Sequence, residues 1–312
     1  MKTANETKLA VSGPFDLAAS ARFLEGFTPA SRPDAAGRPG ELRFAFPAAP
    51  SWRPVGVVAR QRGPDEPVCL RVAGDPSDVD AAVRHARRIL SLDVDGSGFA
   101  EVGRRDPVVA ELQRRYPGLR PVAFHSPYEA ACWTIIGHRI RIVQAAAIKD
   151  QLARRLGTMV DVEGVELPAF PGPETLAALD RVPLVNEVKS DRLRGVARAA
   201  LAGELDPDTL RAMPVEAALA RLRRIPGIGP FSAELTLLRG AAHPDGFPTA
   251  ERRLHEEMAA AYHTDDPADL SRIAHTWRPY RTWVAVLFRT RREMQTGEIS
   301  GRHPERVPAA ST

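Results

Sequence analysis

The pattern of apolar and polar residues over the first hundred positions predicts an antiparallel sheet with helices on one side. Apolar residues form strand-like runs, which lie at 8–12, 41–46, 55–60 and 68–73. They recur at helical spacing over 15–27 and again from Ser77, which we expect to cap the second helix. A loop rich in proline and glycine at 32–40 follows the first helix. The order β-α-β-β-β-α is typical of an α+β domain.

Helical spacing dominates from Asp106 onward. The segments that show it are 107–115, 127–136, 140–156, 173–179, 192–202, 207–211, 215–223, 230–240, 252–262 and 269–276, and a last helix follows Trp283. The final stretch, 298–312, is polar and rich in proline, so we expect it to be disordered. We therefore predict an N-terminal α+β domain over 1–105, an all-helical domain over 106–297 and a disordered tail over 298–312.

Two helical patterns meet at a glycine-rich turn, Pro226-Gly227-Ile228-Gly229. The first pattern stops at Gly227, and the second begins at Pro230, which suits a first helical turn because proline lacks an N–H group. Glycines permit positive φ and close approach of the backbone, so the N–H groups of this turn can converge on one phosphate oxygen. A plain helical hairpin with a glycine turn is the alternative.

Composition permits a polyanionic partner without proving one. The 312 residues carry a formal net charge of +4, and only four of the 43 basic residues are lysine. Cys69 and Cys132 lie far apart, so we expect neither a disulfide framework nor a four-cysteine iron–sulfur cluster. His138 stands alone, and without a cluster at ligand spacing we expect no catalytic metal.

Hydropathy bears on the compartment. No apolar run approaches the roughly eighteen residues that a membrane span needs. We therefore expect a cytoplasmic protein, a monomer with access to a bacterial nucleoid and no membrane partner.

Several motifs accompany the glycine-rich turn. They are FSA at 231–233, LRG at 238–240, Asp245 with Phe247, PGLR at 117–120, YEAACWTIIGH at 128–138 and WRPYR at 277–281. Together with PGIG they resemble the helix-hairpin-helix DNA glycosylases, and within them the DNA-3-methyladenine glycosylase II branch, over about residues 9–292. The resemblance implies an α+β N-terminal domain followed by an all-α helix-hairpin-helix glycosylase domain. It also implies removal of damaged, typically alkylated, bases from double-stranded DNA.

The same resemblance assigns the catalytic carboxylate to Glu251. The family has an aspartate in a P-D-D string at this point, whereas this chain has Pro248-Thr249-Ala250-Glu251, with a carboxylate one methylene longer. An ordinary carboxylate at a helix N-terminus, favoured by the helix dipole, is the alternative. Lyase-competent relatives carry a Schiff-base lysine where this chain has Phe231. That difference implies a monofunctional enzyme that uses water and leaves an abasic site.

Three residues match the family's base pocket: Phe23, Phe231 and Arg289. Phe231 can stack on an electron-poor base, although core packing is the alternative for both phenylalanines. Arg289 replaces a pocket tryptophan. Its charge would either oppose a cationic alkylated purine or pair with Glu251 and keep that carboxylate ionised.

The DNA contacts implied by the resemblance centre on the hairpin and on one wedge residue. The expected contacts are Pro226, Gly227, Ile228, Gly229, Ser232 and Arg139, of which Arg139 replaces the family's apolar wedge. A sodium or potassium ion held by the carbonyls of Arg223, Ile225 and Gly227 would tie the loop to a phosphate. A basic DNA face could include Arg120, Arg139, Arg141, Lys149, Arg223 and Arg224, although a solvated helix surface is the alternative for each.

Two functions fit these residues. The first is a base-excision repair glycosylase that flips a damaged base out of the duplex and hydrolyses its N-glycosidic bond. The second keeps the fold and the DNA binding but does not excise bases, and the substitutions at Glu251, Ala250, Arg139 and Arg289 favour it. A helical scaffold unrelated to DNA would leave the PGIG turn unexplained.

Overall fold

The computed structural model describes residues 6–26 and 40–297 of the chain. Four strands pair antiparallel in the order β1-β4-β3-β2; they are β1 (Glu6–Leu9), β2 (Glu41–Ala48), β3 (Arg53–Arg60) and β4 (Val68–Ala73). Helix α1 (Leu17–Gly26) lies between β1 and β2 in the chain, and α2 (Val79–Ile89) follows β4. The predicted β-α-β-β-β-α order and α+β fold class are therefore confirmed.

Asp75, rather than Ser77, caps the entry to α2. Its carboxylate accepts a hydrogen bond from the backbone N–H of Ser77 at 2.9 Å, and a short 3₁₀ turn, Pro76–Asp78, precedes the helix. The prediction that Ser77 is the cap is wrong, because Pro76 already occupies the first helical position.

Helices make up most of the described chain after residue 98. They are α3 (Phe99–Arg105), α4 (Pro107–Arg115), α5 (Pro127–Gly137), α6 (Ile142–Leu156), α7 (Pro173–Ala178), α8 (Glu187–Leu201), α9 (Pro207–Ala212), α10 (Val215–Leu222), α11 (Pro230–Leu235), α12 (Arg252–Tyr262), α13 (Pro267–His275) and α14 (Arg281–Thr296). A two-stranded hairpin of β5 (Thr158–Asp161) and β6 (Glu166–Ala169) lies between α6 and α7. Sequence periodicity did not predict α3 or this hairpin, because each element is too short to show a clear period.

Buried apolar side chains form two large clusters. One joins the N-terminal sheet to the C-terminal helices, and it includes Phe46 of β2 and Phe288 of α14. The other joins α5, α6 and α8 to the glycine-rich turn, and it includes Tyr128 and Ile228. Helix α14 therefore packs back on the N-terminal sheet, and the glycine-rich turn is held by the second cluster.

Some expectations stay open at this level. The predicted domain limits at 105/106 and at 297 remain a prediction. The tail at 298–312 and the loop at 32–39 lie outside the described residues. Within the described ranges, no helix combines the length and the apolar character that crossing a membrane requires.

Candidate active site

A tight turn joins α10 to α11. The N–H of Ile228 donates to the carbonyl of Ile225 at 3.0 Å, and Gly227 between them has a φ of +94°. This combination defines a type II turn, which favours glycine at its third position. Ile225 and Ile228 are buried, whereas Pro226, Gly227 and Gly229 are exposed. The two isoleucines therefore anchor the turn while its backbone faces solvent.

Helix α11 continues into a five-residue π-helix, Thr236–Gly240, where the sequence predicts one uninterrupted α-helix. Gly240 packs against the start of α5, because an added Cβ would lie only 2.8 Å from the Cα of Pro127. Arg239 in the same π-helix is buried, and its Nη2 donates to the carbonyl of Val122 at 2.7 Å. Single π-turns of this kind are frequent at functional sites.

A cleft of about 130 Å³ lies beside α11, at the start of α12 and the middle of α14. It brings together three of the predicted site residues, Phe231, Glu251 and Arg289, each from a different element. Glu251 is half-buried and directly precedes α12. Phe231 is 45% exposed, so it lines the cleft instead of packing in the core. Trp133 of α5 adds a second aromatic wall, which the sequence analysis did not assign.

Two buried arginines, Arg239 and Arg289, line this cleft. The pKa of Arg239 falls to about 10 because the side chain is buried and because Arg289 lies near it, whereas the Glu251 carboxylate opposes that shift. Arg239 therefore stays protonated at neutral pH and interacts with both neighbours. Both alternatives for Arg289, pairing with Glu251 or opposing a cationic purine, stay predictions; the structure adds Arg239 as a charged neighbour of both residues.

Glu234 is a second carboxylate in the cleft lining, and the sequence analysis missed it. It lies on α11 and accepts hydrogen bonds from the backbone N–H groups of Thr249 and Ala250 and from the Thr249 hydroxyl. The only signal in the sequence is its position inside the apolar run 233–238, where a charged residue needs buried partners.

Phe23 and Arg139 lie outside the lining of this cleft. Phe23 is buried, with the Cζ of Arg239 5.3 Å from the centroid of its ring, so it supports the cleft from the core side. The core-packing alternative therefore describes Phe23. Arg139 is exposed in the turn between α5 and α6 and has a φ of +57°, which is uncommon for residues other than glycine.

Arg120 and Lys149 do not belong to an exposed basic face. Arg120 is buried and donates to the carbonyl oxygens of Ser12, Gly13, Pro14, Ser91 and Val94. The Nζ of Lys149 lies 2.5 Å from the carboxylate of the buried Glu129. These two assignments are wrong, because local sequence does not reveal distant buried partners. The other candidates are exposed: Arg139, Arg141, Arg223 and Arg224.

Metal-type ligands are not clustered in the part of the chain that the structure describes, since no group of three His, Cys, Asp or Glu side chains there could hold an ion. The monovalent cation expected at the carbonyls of Arg223, Ile225 and Gly227 stays a prediction. Of these, the Ile225 carbonyl also accepts the turn hydrogen bond from Ile228. Ser232, expected to contact DNA, is half-buried in the first turn of α11.

Comparison with known proteins shows what this chain is similar to. No family model matches the chain. It is 27% identical over 205 residues to the DNA-3-methyladenine glycosylase of Bacillus subtilis, covering 64% of this chain and 68% of that protein. It is 28% identical over 236 residues to a Mycobacterium tuberculosis protein named as a probable bifunctional transcriptional activator/DNA repair enzyme AlkA, covering 73% of this chain. The chain spans about half the length of this Mycobacterium tuberculosis protein, or 46%.

The solved structures agree on the fold. The 3-methyladenine DNA glycosylase of Archaeoglobus fulgidus superposes with a TM-score of 0.72 at 18% sequence identity, covering 91% of this chain and 96% of that one. With the glycine-rich turn and the cleft beside it, these findings show that the chain has the fold of a helix-hairpin-helix DNA glycosylase and is similar in sequence to named DNA-3-methyladenine glycosylases. The relatives it resembles in sequence carry the names of DNA-3-methyladenine glycosylases and of the AlkA repair enzyme. The resemblance inferred from the motifs is therefore confirmed.

Proposed function

We propose that this protein is a base-excision repair enzyme that removes damaged, chiefly alkylated, bases from double-stranded DNA. One observation carries the proposal: a single cleft holds the carboxylate of Glu251 and the exposed ring of Phe231, and the helix that carries Phe231 begins at the glycine-rich turn. A phosphate held at the turn would lie one helical turn or less from the aromatic wall of the cleft. Backbone binding and base capture would then occur side by side.

Binding to DNA begins at the hairpin. The exposed backbone of Gly227 and Gly229, at the N-terminal end of α11, offers N–H groups to a phosphate oxygen without any side chain between them. Arg139, held at positive φ in its turn, fills the space that the extruded base leaves in the stack. The predicted cation at the hairpin carbonyls would strengthen the phosphate contact.

The chemical step needs one carboxylate and one water molecule. The damaged base stacks on Phe231, and the C1′–N bond breaks so that its electron pair leaves with the base. Glu251 stabilises the positive charge that develops on the sugar. Water then bonds to C1′ and gives up a proton, which the carboxylate accepts. The products are a free base and an abasic site.

A lyase step is not part of the proposal. Phe231 stands where lyase-competent relatives have their amine, and none of the described side chains that line the cleft is a lysine. Without an amine nucleophile no Schiff base forms with C1′, so the strand stays intact after base release. We further propose that the protein acts as a monomer in the cytoplasm, at the nucleoid.

The decisive experiment is single-turnover base release from duplexes that carry 3-methyladenine, 7-methylguanine, hypoxanthine or ethenoadenine. Wild type is compared with Glu251→Gln, and with Glu111→Gln as a control that makes the same charge change on exposed α4 surface. We expect release that Glu251→Gln abolishes and Glu111→Gln preserves, with no strand cleavage. Lesion binding without any release would favour the non-catalytic alternative. Release that survives Glu251→Gln would mean that another group is the catalytic acid or base.

A further inference from the structure

Glu234 anchors the segment that leads into Glu251. Glu234 is only 6% exposed. Its Oε1 accepts hydrogen bonds from the N–H of Thr249 at 3.0 Å and from the Thr249 hydroxyl at 2.5 Å. Its Oε2 accepts the N–H of Ala250 at 2.9 Å. These two partners immediately precede Glu251 in the chain. A buried carboxylate with three hydrogen bonds forms a rigid and specific contact.

We propose that Glu234 is a positioning residue that fixes the carboxylate of Glu251 beside the sugar, an inference that rests on the proposed function of Glu251. The backbone of Glu251 is held from both sides. Its own carbonyl accepts hydrogen bonds from Leu254 and His255 at the start of α12, and Glu234 holds the two residues before it. A longer glutamate in place of the family's aspartate needs such restraint, because a displacement of about 1 Å can cost about 100-fold in rate.

The same contact couples the hairpin to the site. Glu234 lies on α11, and this helix begins at the turn proposed to bind the phosphate. A phosphate held at the turn therefore positions α11 relative to DNA. The hydrogen bonds of Glu234 in turn fix the segment that carries Glu251 relative to α11.

A carboxyl group, which can accept at both of its oxygens, satisfies all three partners, whereas an amide cannot. The N–H groups of Thr249 and Ala250 are fixed donors at opposite oxygens of Glu234, so both oxygens must accept. In Glu234→Gln one of these backbone N–H groups would face the NH₂ of the glutamine amide. Both groups are donors, so no hydrogen bond would form there. The substitution keeps the size of the side chain and removes one anchor, which makes it a sharp test.

The test uses two duplexes that differ only in the charge of an abasic sugar mimic. A protonated pyrrolidine ring imitates the oxocarbenium ion, and a tetrahydrofuran ring is its neutral counterpart. For wild type we expect much tighter binding of the pyrrolidine duplex, and for Glu251→Gln equal binding of both. Glu234→Gln should reduce the preference for pyrrolidine, and the single-turnover rate, by about 10- to 100-fold. Its affinity for the tetrahydrofuran duplex should not change.

Matched variants separate positioning from general stability. Thr249→Ser keeps the hydroxyl and should retain the wild-type preference, whereas Thr249→Val loses one of the three hydrogen bonds and should lower it. Glu111→Gln should leave it unchanged. If Glu234→Gln and Thr249→Val both keep the full preference, the positioning role is overturned while the proposed function stands. A wild type that does not distinguish the two duplexes would overturn both.

Discussion

The guanidinium of Arg281 donates two hydrogen bonds to the carboxylate of Asp245. Its Nε lies 2.8 Å from Oδ1 and its Nη2 3.2 Å from Oδ2, and the Nε of Arg278 adds a third contact at 3.0 Å. Burial acts to raise the pKa of Asp245, but the hydrogen bonds from Arg281 and Arg278 lower it below its usual value. The two arginines of the WRPYR motif therefore tie the loop that leads to Glu251 to the start of α14.

Replacing Asp245 by asparagine should weaken both stability and base release. The asparagine loses the charge that faces two arginines, so we expect the free energy of unfolding to fall by about 1–3 kcal/mol. The single-turnover rate should fall as well, because the loop before Glu251 loses its anchor. Urea unfolding and base release measure the two effects. The control is Asp269→Asn, which removes a partner of the exposed Arg272 on the partly exposed first turn of α13; it should lower the free energy of unfolding by less than about 1 kcal/mol and leave base release unchanged.

The two glycines of the turn should respond differently to alanine. Gly227 has a φ of +94°, so Gly227→Ala strains the backbone and should lower the free energy of unfolding by about 1–3 kcal/mol. Gly229 has a φ of −87°, and a Cβ added there meets nothing within 4 Å. Gly229→Ala should therefore fold normally and weaken only the binding of duplex DNA, because its methyl group stands between the backbone and the phosphate.

Salt-dependent binding and thermal unfolding check this pair. The control is Gly195→Ala on α8, where an added Cβ also meets nothing within 4 Å; it should bind DNA like wild type and gain slightly in stability. Full DNA affinity of Gly229→Ala would argue against the hairpin as the phosphate site.

Local sequence signals predicted the elements that show a clear period or a clear stop. Helix α5 lies between Pro127 and Gly137, and α4 begins at Pro107, as the proline and glycine positions indicate. The seven residues of α3 and the two four-residue strands β5 and β6 are too short for such a pattern. The π-helix at the end of α11 has no signature of its own in the composition of the segment.

The site was predictable only where a family motif marks it. Glu251, Phe231 and Arg289 lie far apart in sequence on three elements, and their motif positions alone brought them together. No family motif marks Glu234. A glutamate on a short helix is usually solvated, so its sequence position did not indicate a role in the site. The burial of Arg120 was equally hidden, since its carbonyl partners come from segments 12–14 and 91–94. Contacts between residues that are distant in sequence depend on the whole fold, so a local sequence pattern does not predict them.

Lys149 forms an ion pair with the buried Glu129, and we expect the stabilising effect of each side chain to depend on the other. Burial acts to raise the pKa of Glu129, but the charges of His125 and Lys149 lower it well below its usual range. Lys149→Met leaves this carboxylate buried with less compensation, so we expect a loss of about 3–5 kcal/mol in the free energy of unfolding. The double variant Lys149→Met with Glu129→Gln should recover most of that loss, because it also removes the buried carboxylate that Lys149→Met leaves with less compensation.

Guanidinium unfolding of the two single variants and the double variant measures this coupling. Losses that simply add in the double variant would show that the two side chains do not act as a pair. The dependence of stability on pH in the acidic range offers a second check. Because the folded pKa of Glu129 is depressed, its contribution is complete above the unfolded pKa and is lost as the pH falls through the folded value. Glu129→Gln should therefore show less destabilisation below about pH 4.5 than wild type.

His85 should make the folded protein sensitive to mild acid. Its ring stacks on Phe46, with centroids 5.5 Å apart, and burial lowers its pKa well below 6.5, helped by the charges of Arg88 and Arg84. Below pH 6.5 the unfolded chain therefore binds a proton at this residue that the folded chain does not. Stability from this source is complete above pH 6.5 and falls on acidification, by at most about 1.4 kcal/mol per pH unit.

Replacing His85 by leucine removes this proton uptake. The free energy of unfolding, measured by urea titration between pH 7.5 and 5, should then fall less steeply than in wild type, and the two curves should separate progressively below pH 6.5. His275→Gln serves as the control, because His275 is exposed at the end of α13. Parallel curves for wild type and His85→Leu would mean that His85 takes up its proton without unfolding, through a local opening between α2 and β2.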